Sequence, residues 1–192
     1  MVFVVGSAGM SSNQINEAVR ALRQGGVIAY PTEAVYGLGC DPANNQAVQK
    51  LLEIKQRDRE KGLILIAAEF GQLTPFLAEL DVSLKEQVFK TWPGPVTWLW
   101  PARSGVTTLL RGEHATIAIR VTDHPLAAQL CREFGGALVS TSANLSGNPP
   151  AQNSEQLRAQ FEDQLDYVLE GEVGGLTKPS QIRDVLSGRI LR

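Results

Sequence analysis

The order of apolar and polar positions predicts helices that alternate with strands. Apolar residues at positions 15, 18, 19 and 22 have the spacing of a helix face, with the helix beginning at Ser11 or Ser12 and ending at Gly25-Gly26. Runs rich in β-branched or aromatic residues predict strands at 27–30, 63–67, 96–100, 116–121, 137–141, 167–169 and 181–186. Further helices are expected from about residue 44, at 70–79, 83–91 and 154–163, and after Asp123 as cap with Pro125 in the first turn. Segment 32–41 is expected to be a loop, and the alternation of elements indicates an α/β fold.

A lysine interrupts the apolar stripe of the helix expected after residue 44. Val48, Leu51 and Leu52 follow the i, i+3, i+4 rule, and Lys55 takes the next position of the buried face. Basic residues follow at positions 57, 59 and 61. The pattern leaves two interpretations open. Either the lysine stem is buried while the ammonium reaches water, or the ammonium points inward to bind phosphate or carboxylate.

Length and composition describe an ordinary soluble protein. The 192 residues are expected to form one domain, 1–192, with 43% hydrophobic and 20% charged residues. A net charge of −2 argues against a generally basic nucleic-acid-binding surface, although a local basic patch fits it. Cys40 and Cys131 form no disulfide framework or zinc spacing, which suits a reducing, cytoplasmic location. We expect no signal peptide and no membrane span, because no basic n-region and no apolar run of sufficient length occur.

Several familiar motifs of enzyme chemistry do not occur in the sequence. There is no GxxxxGK[ST] loop for nucleotide phosphates, no complete dinucleotide fingerprint, no HExxH and no GxSxG. The chain has two histidines, His114 and His124, and His124 is expected to start a helix. We therefore expect no metal site built on protein ligands.

Polar side chains follow two of the predicted strands. Thr32 comes directly after the first strand, and its hydroxyl with nearby backbone groups suits a small polar ligand. Segment 140–147 offers four hydroxyls and one amide, which together suit phosphate oxygens. Ligands of open α/β sheets bind in the crevice beyond strand ends. On pattern alone, a plain strand-to-loop turn and a serine-rich turn remain as alternatives.

Two further segments place positive charge where anions bind. Segment 55–61 combines lysines with planar guanidinium groups that match phosphate oxygens, and a solvated helix end containing Asp58 and Glu60 remains as the alternative. In the strand at 116–121, alternation places Thr116, Ala118 and Arg120 on one face. An arginine on a covered sheet needs an anionic partner, which is either an internal carboxylate or a ligand.

These segments, in this order, resemble the YrdC family of threonylcarbamoyl-AMP synthases. The matching residues are YPTEAVYGLGCD (30–41), KQR (55–57), WPGPVT (92–97), AIRVTDHP (118–125), STSANLSG (140–147) and PSQIRD (179–184). The resemblance implies a single-domain α/β fold of the bacterial form, an open twisted mixed sheet with flanking helices and a central concave cleft. It also implies a reaction in which L-threonine, bicarbonate or CO2, and ATP give threonylcarbamoyl-adenylate and pyrophosphate. Downstream t6A-transfer proteins would use this product to modify adenosine 37 of tRNA, and tRNA or double-stranded RNA is implied as a partner.

The resemblance also implies roles for particular residues. The implied catalytic residues are Lys55, Arg57, Ser142 and Asn144, and the implied nucleotide-binding residues are Lys61, Thr116 and Arg192. Threonine contacts are implied at Thr32, Arg120, Ser140 and Ser180. Longer members often have His where this chain has Ile66 and Thr where it has Ala34, which affects the threonine pocket. Mg²⁺ would be carried on the ATP phosphates with mostly water ligands.

The implied chemistry needs positioning, charge neutralisation and exclusion of water rather than a side-chain nucleophile. This agrees with a site marked by cations and hydroxyls. A rival interpretation is a non-catalytic RNA-binding module that uses the same basic cluster together with Arg20 and Arg23. Another is a hydrogenase-maturation module that uses carbamoyl phosphate, because the same domain occurs inside larger proteins. The enzyme is favoured because Lys55 and Arg120 occupy core positions of their elements.

Overall fold

The computed structural model describes residues 8–177 and 179–192, and its elements alternate along this part of the chain. The α-helices are α1 (Ala8–Arg23), α2 (Asn45–Lys55), α3 (Val82–Phe89), α4 (Thr108–Arg111), α5 (Pro125–Phe134) and α6 (Ser154–Phe161). The strands are β1 (Ile28–Pro31), β2 (Tyr36–Gly39), β3 (Ile64–Ala67), β4 (Val96–Pro101), β5 (Thr116–Val121), β6 (Leu138–Ser142), β7 (Tyr167–Val168) and β8 (Gln181–Asp184). Short 3-10 helices occur at Arg59–Lys61, Phe70–Gln72 and Thr74–Phe76. None of the helices in the described ranges is long and apolar enough to cross a membrane.

All eight strands join one mixed sheet in the order β7-β1-β2-β6-β3-β5-β4-β8. The pairs β1–β7, β3–β5 and β4–β8 are parallel, while β1–β2, β2–β6, β3–β6 and β4–β5 are antiparallel. The predicted α/β class with a mixed sheet and flanking helices is therefore confirmed. Strands β7 and β8 are the two edges of this sheet, although only 12 residues separate them in sequence.

Helices cover both faces of the sheet. Ile15 and Leu22 of α1 and Leu130 of α5 pack on one face, in a buried cluster with Ile66 and Leu138 from the central strands. On the other face, residues of α2 and α6 pack in a second cluster that includes Leu38, Leu65 and Val139. Neighbouring strand residues alternate between the two clusters, as the pleat of a sheet requires. The arrangement places α1 and α2 on opposite faces.

Most predicted elements are present, and the errors lie at their boundaries and in the less regular segments. The strands predicted from 63–67 onward and the helix after residue 44 are confirmed, the latter with Asn44 as N-cap accepting from two backbone N–H groups. Helix α1 begins at Ala8, so the prediction of a start at Ser11 or Ser12 is wrong. The helix predicted at 70–79 is wrong, since this segment forms two 3-10 turns with Pro75 in the second.

The cap of α5 is His124 rather than Asp123, because the His124 side chain accepts from the Ala127 N–H. Helix α4 was not predicted.

The predicted loop 32–41 contains strand β2, and its glycines explain both the error and the strand. Glycine weakens a strand, so Gly37 and Gly39 gave the segment the composition of a loop. In the structure, a Cβ atom on Gly39 would lie 2.4 Å from the Val139 carbonyl oxygen and 2.6 Å from the Tyr30 ring. Glycine here allows β1, β2 and β6 to approach closely, and this approach brings the loop after β1 beside the end of β6.

We expect the Gly39→Ala variant to lose stability because the added methyl group meets backbone that cannot move away. The free energy of unfolding should fall by about 3 kcal/mol, at the upper end of overpacking costs. Urea unfolding followed by circular dichroism measures this difference. Gly71→Ala is the matched control, because the nearest atom to its Cβ would lie at an ordinary 3.8 Å. Equal stability of the two variants would contradict the proposed close approach.

Candidate active site

A cavity of about 400 Å³ opens between the β1–β2 loop, the end of β6 and the segment before β8. This is the concave cleft at strand ends that the sequence predicted. Seven of the eleven predicted site residues line it, and they are Thr32, Arg57, Arg120, Ser140, Ser142, Ser180 and Arg192. The other four, Lys55, Lys61, Thr116 and Asn144, do not line it.

Lys55 lies directly behind the cavity wall and holds residues 142 and 144 in place through hydrogen bonds. The residue is 5% exposed, and its Nζ donates to the Ser142 carbonyl at 2.6 Å, the Asn144 carbonyl at 3.0 Å and Asn144 Oδ1 at 2.9 Å. Ser142 Oγ donates to the same Asn144 Oδ1 at 2.7 Å. The inward-pointing ammonium that the sequence allowed is therefore present, and in this structure its partners are protein oxygens. Burial, and then the charge of Arg57, lower the pKa of Lys55 to about 8.

The end of α2 aims Arg57 into the cavity. Gln56 adopts a left-handed conformation with φ 51° and caps the helix, so the chain reverses and the Arg57 N–H donates to the Leu52 carbonyl. The Arg57 Nε and Nη2 atoms then donate to the Gly62 carbonyl at 3.2 and 3.0 Å. Two bonds to one oxygen fix the plane of the guanidinium group while it lines the cavity.

Three guanidinium groups share this cavity. Arg192 donates from Nε and Nη2 to the Ser180 carbonyl at 3.3 and 3.2 Å. Burial, and then the charge of Arg192, lower the pKa of Arg57, while burial and the charge of Arg120 lower the pKa of Arg192. Arg192 is thus repelled by the charge of Arg120 and in turn repels Arg57, so an anionic ligand that enters the cavity relieves unfavourable charge.

Arg120 has an internal carboxylate as partner, and the sequence analysis missed that residue. Its Nη2 lies 3.2 Å from Oε2 of Glu33, and both side chains are 8% exposed. The Thr122 hydroxyl donates to the other oxygen, Glu33 Oε1, at 2.7 Å. Of the two partners left open for Arg120, the internal carboxylate is confirmed. Thr122 follows the end of β5 and lies two positions after Arg120, so the alternation of polar side chains at 120 and 122 was the available signal.

Hydroxyl groups complete the cavity wall. Thr32 donates from Oγ1 to the Val35 carbonyl at 2.7 Å, which closes the turn after β1. The hydroxyl of Ser180 lies 3.1 Å from that of Thr97, on β4. Ser140 and Ser142 alternate along β6 on the side of the cavity. These hydroxyls therefore come from the β1–β2 loop, from β6, from β4 and from the segment before β8.

Lys61 and Thr116 lie away from this cavity. Lys61 is exposed at the end of the 3-10 helix Arg59–Lys61. Thr116 opens β5 and pairs with Pro101, four residues and therefore about 13 Å along the strand from Arg120. Their predicted nucleotide contacts stay predictions.

One wall of the cavity is formed by residues 169–177 and 179–180, which have no helix or strand and which we call the strap. Its backbone is tied to the β1–β2 loop: the Gly174 N–H donates to the Thr32 carbonyl and the Leu176 N–H to the Glu33 carbonyl, both at 3.0 Å. On its other side, the His124 ring nitrogen Nε2 lies 3.0 Å from the Glu172 carbonyl. The strap contributes Leu176, Thr177, Pro179 and Ser180 to the cavity.

The arrangement suits an anionic ligand with several oxygen atoms. Three guanidinium groups, one paired carboxylate and a row of hydroxyls converge within one cleft. In residues 8–177 and 179–192, no group of three or more His, Cys, Asp or Glu residues is placed to hold a metal ion. The site offers charge neutralisation and positioning.

Known proteins share both this sequence and this fold. The threonylcarbamoyl-AMP synthase of Nitrosococcus oceani is 54% identical over 179 residues, which cover 93% of this chain and 97% of that protein. The structure of P. abyssi Sua5 complexed with L-threonine superposes with a TM-score of 0.87 at 28% identity, covering 93% of this chain and 53% of that longer one. A structure of HypF in the phosphate- and nucleotide-bound form gives a TM-score of 0.80 at 17% identity, over 93% of this chain and 28% of that one, and shows a common fold alone.

The family model Sua5/YciO/YrdC, described as telomere recombination, matches residues 20–192. The match includes every element from the end of α1 onward, and with it every residue of the cavity. This chain therefore belongs to the Sua5/YciO/YrdC family.

Proposed function

We propose that this protein is an L-threonylcarbamoyl-adenylate synthase, which makes threonylcarbamoyl-AMP and pyrophosphate from L-threonine, bicarbonate or CO2, and ATP. The observation that carries the proposal is the convergence of Arg57, Arg120 and Arg192 on one hydroxyl-lined cavity. Relatives that match nearly their whole length at 52–54% identity are named threonylcarbamoyl-AMP synthase. The site and the relatives agree on a nucleotidyl transfer to a small anionic acceptor.

The cavity supplies what each part of this reaction needs. The neutral amine of threonine attacks the carbon of CO2, and an oxygen of the resulting carbamate attacks the α-phosphorus as pyrophosphate departs. We assign Arg57 and Arg192 to the phosphates, Arg120 to the threonine carboxylate, and Thr32, Ser140 and Ser180 to the amino acid. Donors that are already fixed, as the guanidinium plane of Arg57 is, stabilise developing charge without reorganisation.

Lys55 and Asn144 act through Ser142 in this proposal. The Lys55 ammonium holds the carbonyl oxygens of residues 142 and 144, and this turns the Ser142 side chain toward the cavity. The 142–144 turn then presents its hydroxyl to the nucleotide, in line with the catalytic role that the sequence implied. Lys61 and Thr116 would reach only those parts of ATP that extend beyond the cavity.

Mg²⁺ would enter as part of its complex with ATP. The acidic side chain in the cavity wall is Glu33, and both of its oxygens already have partners in Arg120 and Thr122. Because this carboxylate is already paired, an ion in the cavity would keep its water ligands and be bound through the phosphates of ATP. The ion would add to the neutralisation of phosphate charge that the guanidinium groups provide.

The non-catalytic RNA-binding module is not favoured by the geometry. Lys55 is buried and Arg57 faces the cavity, so the predicted basic cluster is not one exposed surface. Arg20 and Arg23 lie on α1, on the opposite face of the sheet from α2. The likeness to HypF concerns the fold alone and supports no role in hydrogenase maturation. We retain tRNA, downstream t6A-transfer proteins and a cytoplasmic location as parts of the proposal.

The decisive experiment measures pyrophosphate release by the purified protein. With ATP, Mg²⁺, L-threonine and bicarbonate present we expect release, and omission of threonine or bicarbonate should each reduce it to background. Mass spectrometry of the mixture should show threonylcarbamoyl-AMP. Release that continues unchanged without threonine would contradict the proposed function, as would duplex RNA binding with no turnover.

Arg57→Ala should lower kcat/KM for pyrophosphate release roughly 10- to 150-fold. A hydrogen bond to a charged group contributes about 1.5–3 kcal/mol, which corresponds to that range of rates. Arg59→Ala is the matched control, because Arg59 is exposed and lies 4.0 Å from Glu53 in a weak surface pair. A kcat/KM within twofold of wild type for Arg57→Ala would contradict the assignment of Arg57 to the phosphates.

Lys55→Met should reduce both stability and turnover, because it leaves the Ser142 and Asn144 carbonyls without their cation. We expect the free energy of unfolding to fall by about 2–3 kcal/mol, measured with urea. Lys50→Met is the control, since Lys50 forms an exposed pair with Asp166 and should cost under about 1 kcal/mol.

A titration adds a second readout for Lys55. The folded-state pKa of Lys55 lies near 8, below the ordinary 10.5, so between these pH values the unfolded chain binds a proton that the folded protein does not. The contribution of Lys55 to the free energy of unfolding therefore increases as pH rises through that interval. Carbon NMR of the lysine Cε atoms should show one signal with a midpoint near pH 8 that is missing from Lys55→Met. Titration of every lysine above pH 10 would contradict the inward, buried ammonium.

A further inference from the structure

One carboxylate stands among the three guanidinium groups of the cavity. Glu33 is 6% exposed and is the acidic member of the cavity wall within the part of the chain that the structure describes. A negative charge beside a triphosphate site repels the triphosphate. This cost makes Glu33 hard to explain as a simple wall residue, and the nucleotide chemistry assigned above does not use it.

The fold holds Glu33 at a fixed position. Its side chain is bound by Arg120 and Thr122, and its carbonyl accepts from the Leu176 N–H of the strap. Gly174 packs directly on its backbone, where a Cβ atom would lie 2.9 Å from the Glu33 carbonyl oxygen. Strand β5, the β1–β2 loop and the strap therefore meet at this residue.

The ion pair leaves part of Arg120 free for a ligand. Glu33 contacts Nη2, while Nε of Arg120 is buried and has no hydrogen-bond partner. Buried donors are nearly always paired, so the contacts of the described residues leave the hydrogen-bonding capacity of Arg120 incompletely used. A planar guanidinium that is held at one nitrogen can still offer others to an incoming carboxylate.

We infer that Glu33 is a positioning residue. Its ion pair orients Arg120 so that this arginine binds the carboxylate of the amino acid rather than the phosphates. This inference rests on the proposed function. Glu33 and Arg120 together are neutral, as a zwitterionic amino acid is, while Arg57 and Arg192 keep a charge of two for the nucleotide. Arg120 lies close enough to Arg192 to influence its pKa, so without Glu33 it would turn toward the same phosphates.

Glu33→Gln tests this division because it removes the charge and keeps the shape. The KM for L-threonine should rise at least about 10-fold, while the Kd for MgATP, measured by calorimetry without threonine, should stay within twofold or become tighter. General damage to the cavity would weaken both ligands together. Weakening of MgATP binding, or a threonine KM within twofold of wild type, would overturn the inference.

Two further variants and the wild-type protein distinguish the possible causes of each result. Asp166→Asn removes a carboxylate that binds Lys50 away from the cavity, and it should change neither ligand. Thr122→Val removes the hydroxyl that donates to Glu33 and accepts from the His124 N–H. It should raise the threonine KM by a smaller factor than Glu33→Gln does, and if Glu33→Gln does not fold, this variant decides. Wild-type protein without threonine-dependent pyrophosphate release refutes the proposed function itself, whereas active wild type with unchanged Glu33→Gln kinetics refutes only the role of Glu33.

Discussion

The site depends on one buried ammonium group. Lys55 is the last residue of α2, and its Nζ holds the carbonyls of residues 142 and 144 where β6 ends. A lysine in a core position is unfavourable unless oxygen atoms surround it, so the helix and the 142–144 turn stabilise each other only when they are correctly placed. The helix cap that follows then determines the direction of Arg57. The positions of both the hydroxyl and the guanidinium that face the cavity follow from this contact.

The sequence predicted the site residues that are marked by a local pattern and missed the one whose partner is remote in sequence. Lys55 was found because a break in a 3.6-residue pattern is local, and Arg120 because a strand alternates over a few residues. Glu33 was missed because its partner Thr122 lies 89 residues away, and nothing near Glu33 distinguishes a buried carboxylate from one in a turn. The substrates were predicted from the resemblance of the motifs to a known family, because the spacing of apolar and polar residues gives no information about substrates.

The fold was predicted with similar limits. Strands made of β-branched residues and the helix capped by Asn44 could be predicted, because their stabilising contacts are local. Strand β2 could not, because its glycines are favoured by the close approach of Tyr30 on the paired strand β1 and of Val139, which is remote in sequence. The choice of His124 over Asp123 as a cap also depends on where the strap places Glu172. Whether the whole chain forms one domain stays a prediction.

The strap has a length that its route requires. Strands β7 and β8 lie at opposite edges of the sheet, seven strand spacings apart, which is about 34 Å at the usual separation. Thirteen steps of chain lead from Val168 to Gln181, with a maximum reach of about 44 Å. The same number of residues in a helix would advance only about 20 Å, which is less than the separation of these edges in a flat sheet. The lack of helix in residues 169–177 and 179–180 agrees with this requirement, so the segment that joins the two edge strands is also the segment that forms a wall of the cavity.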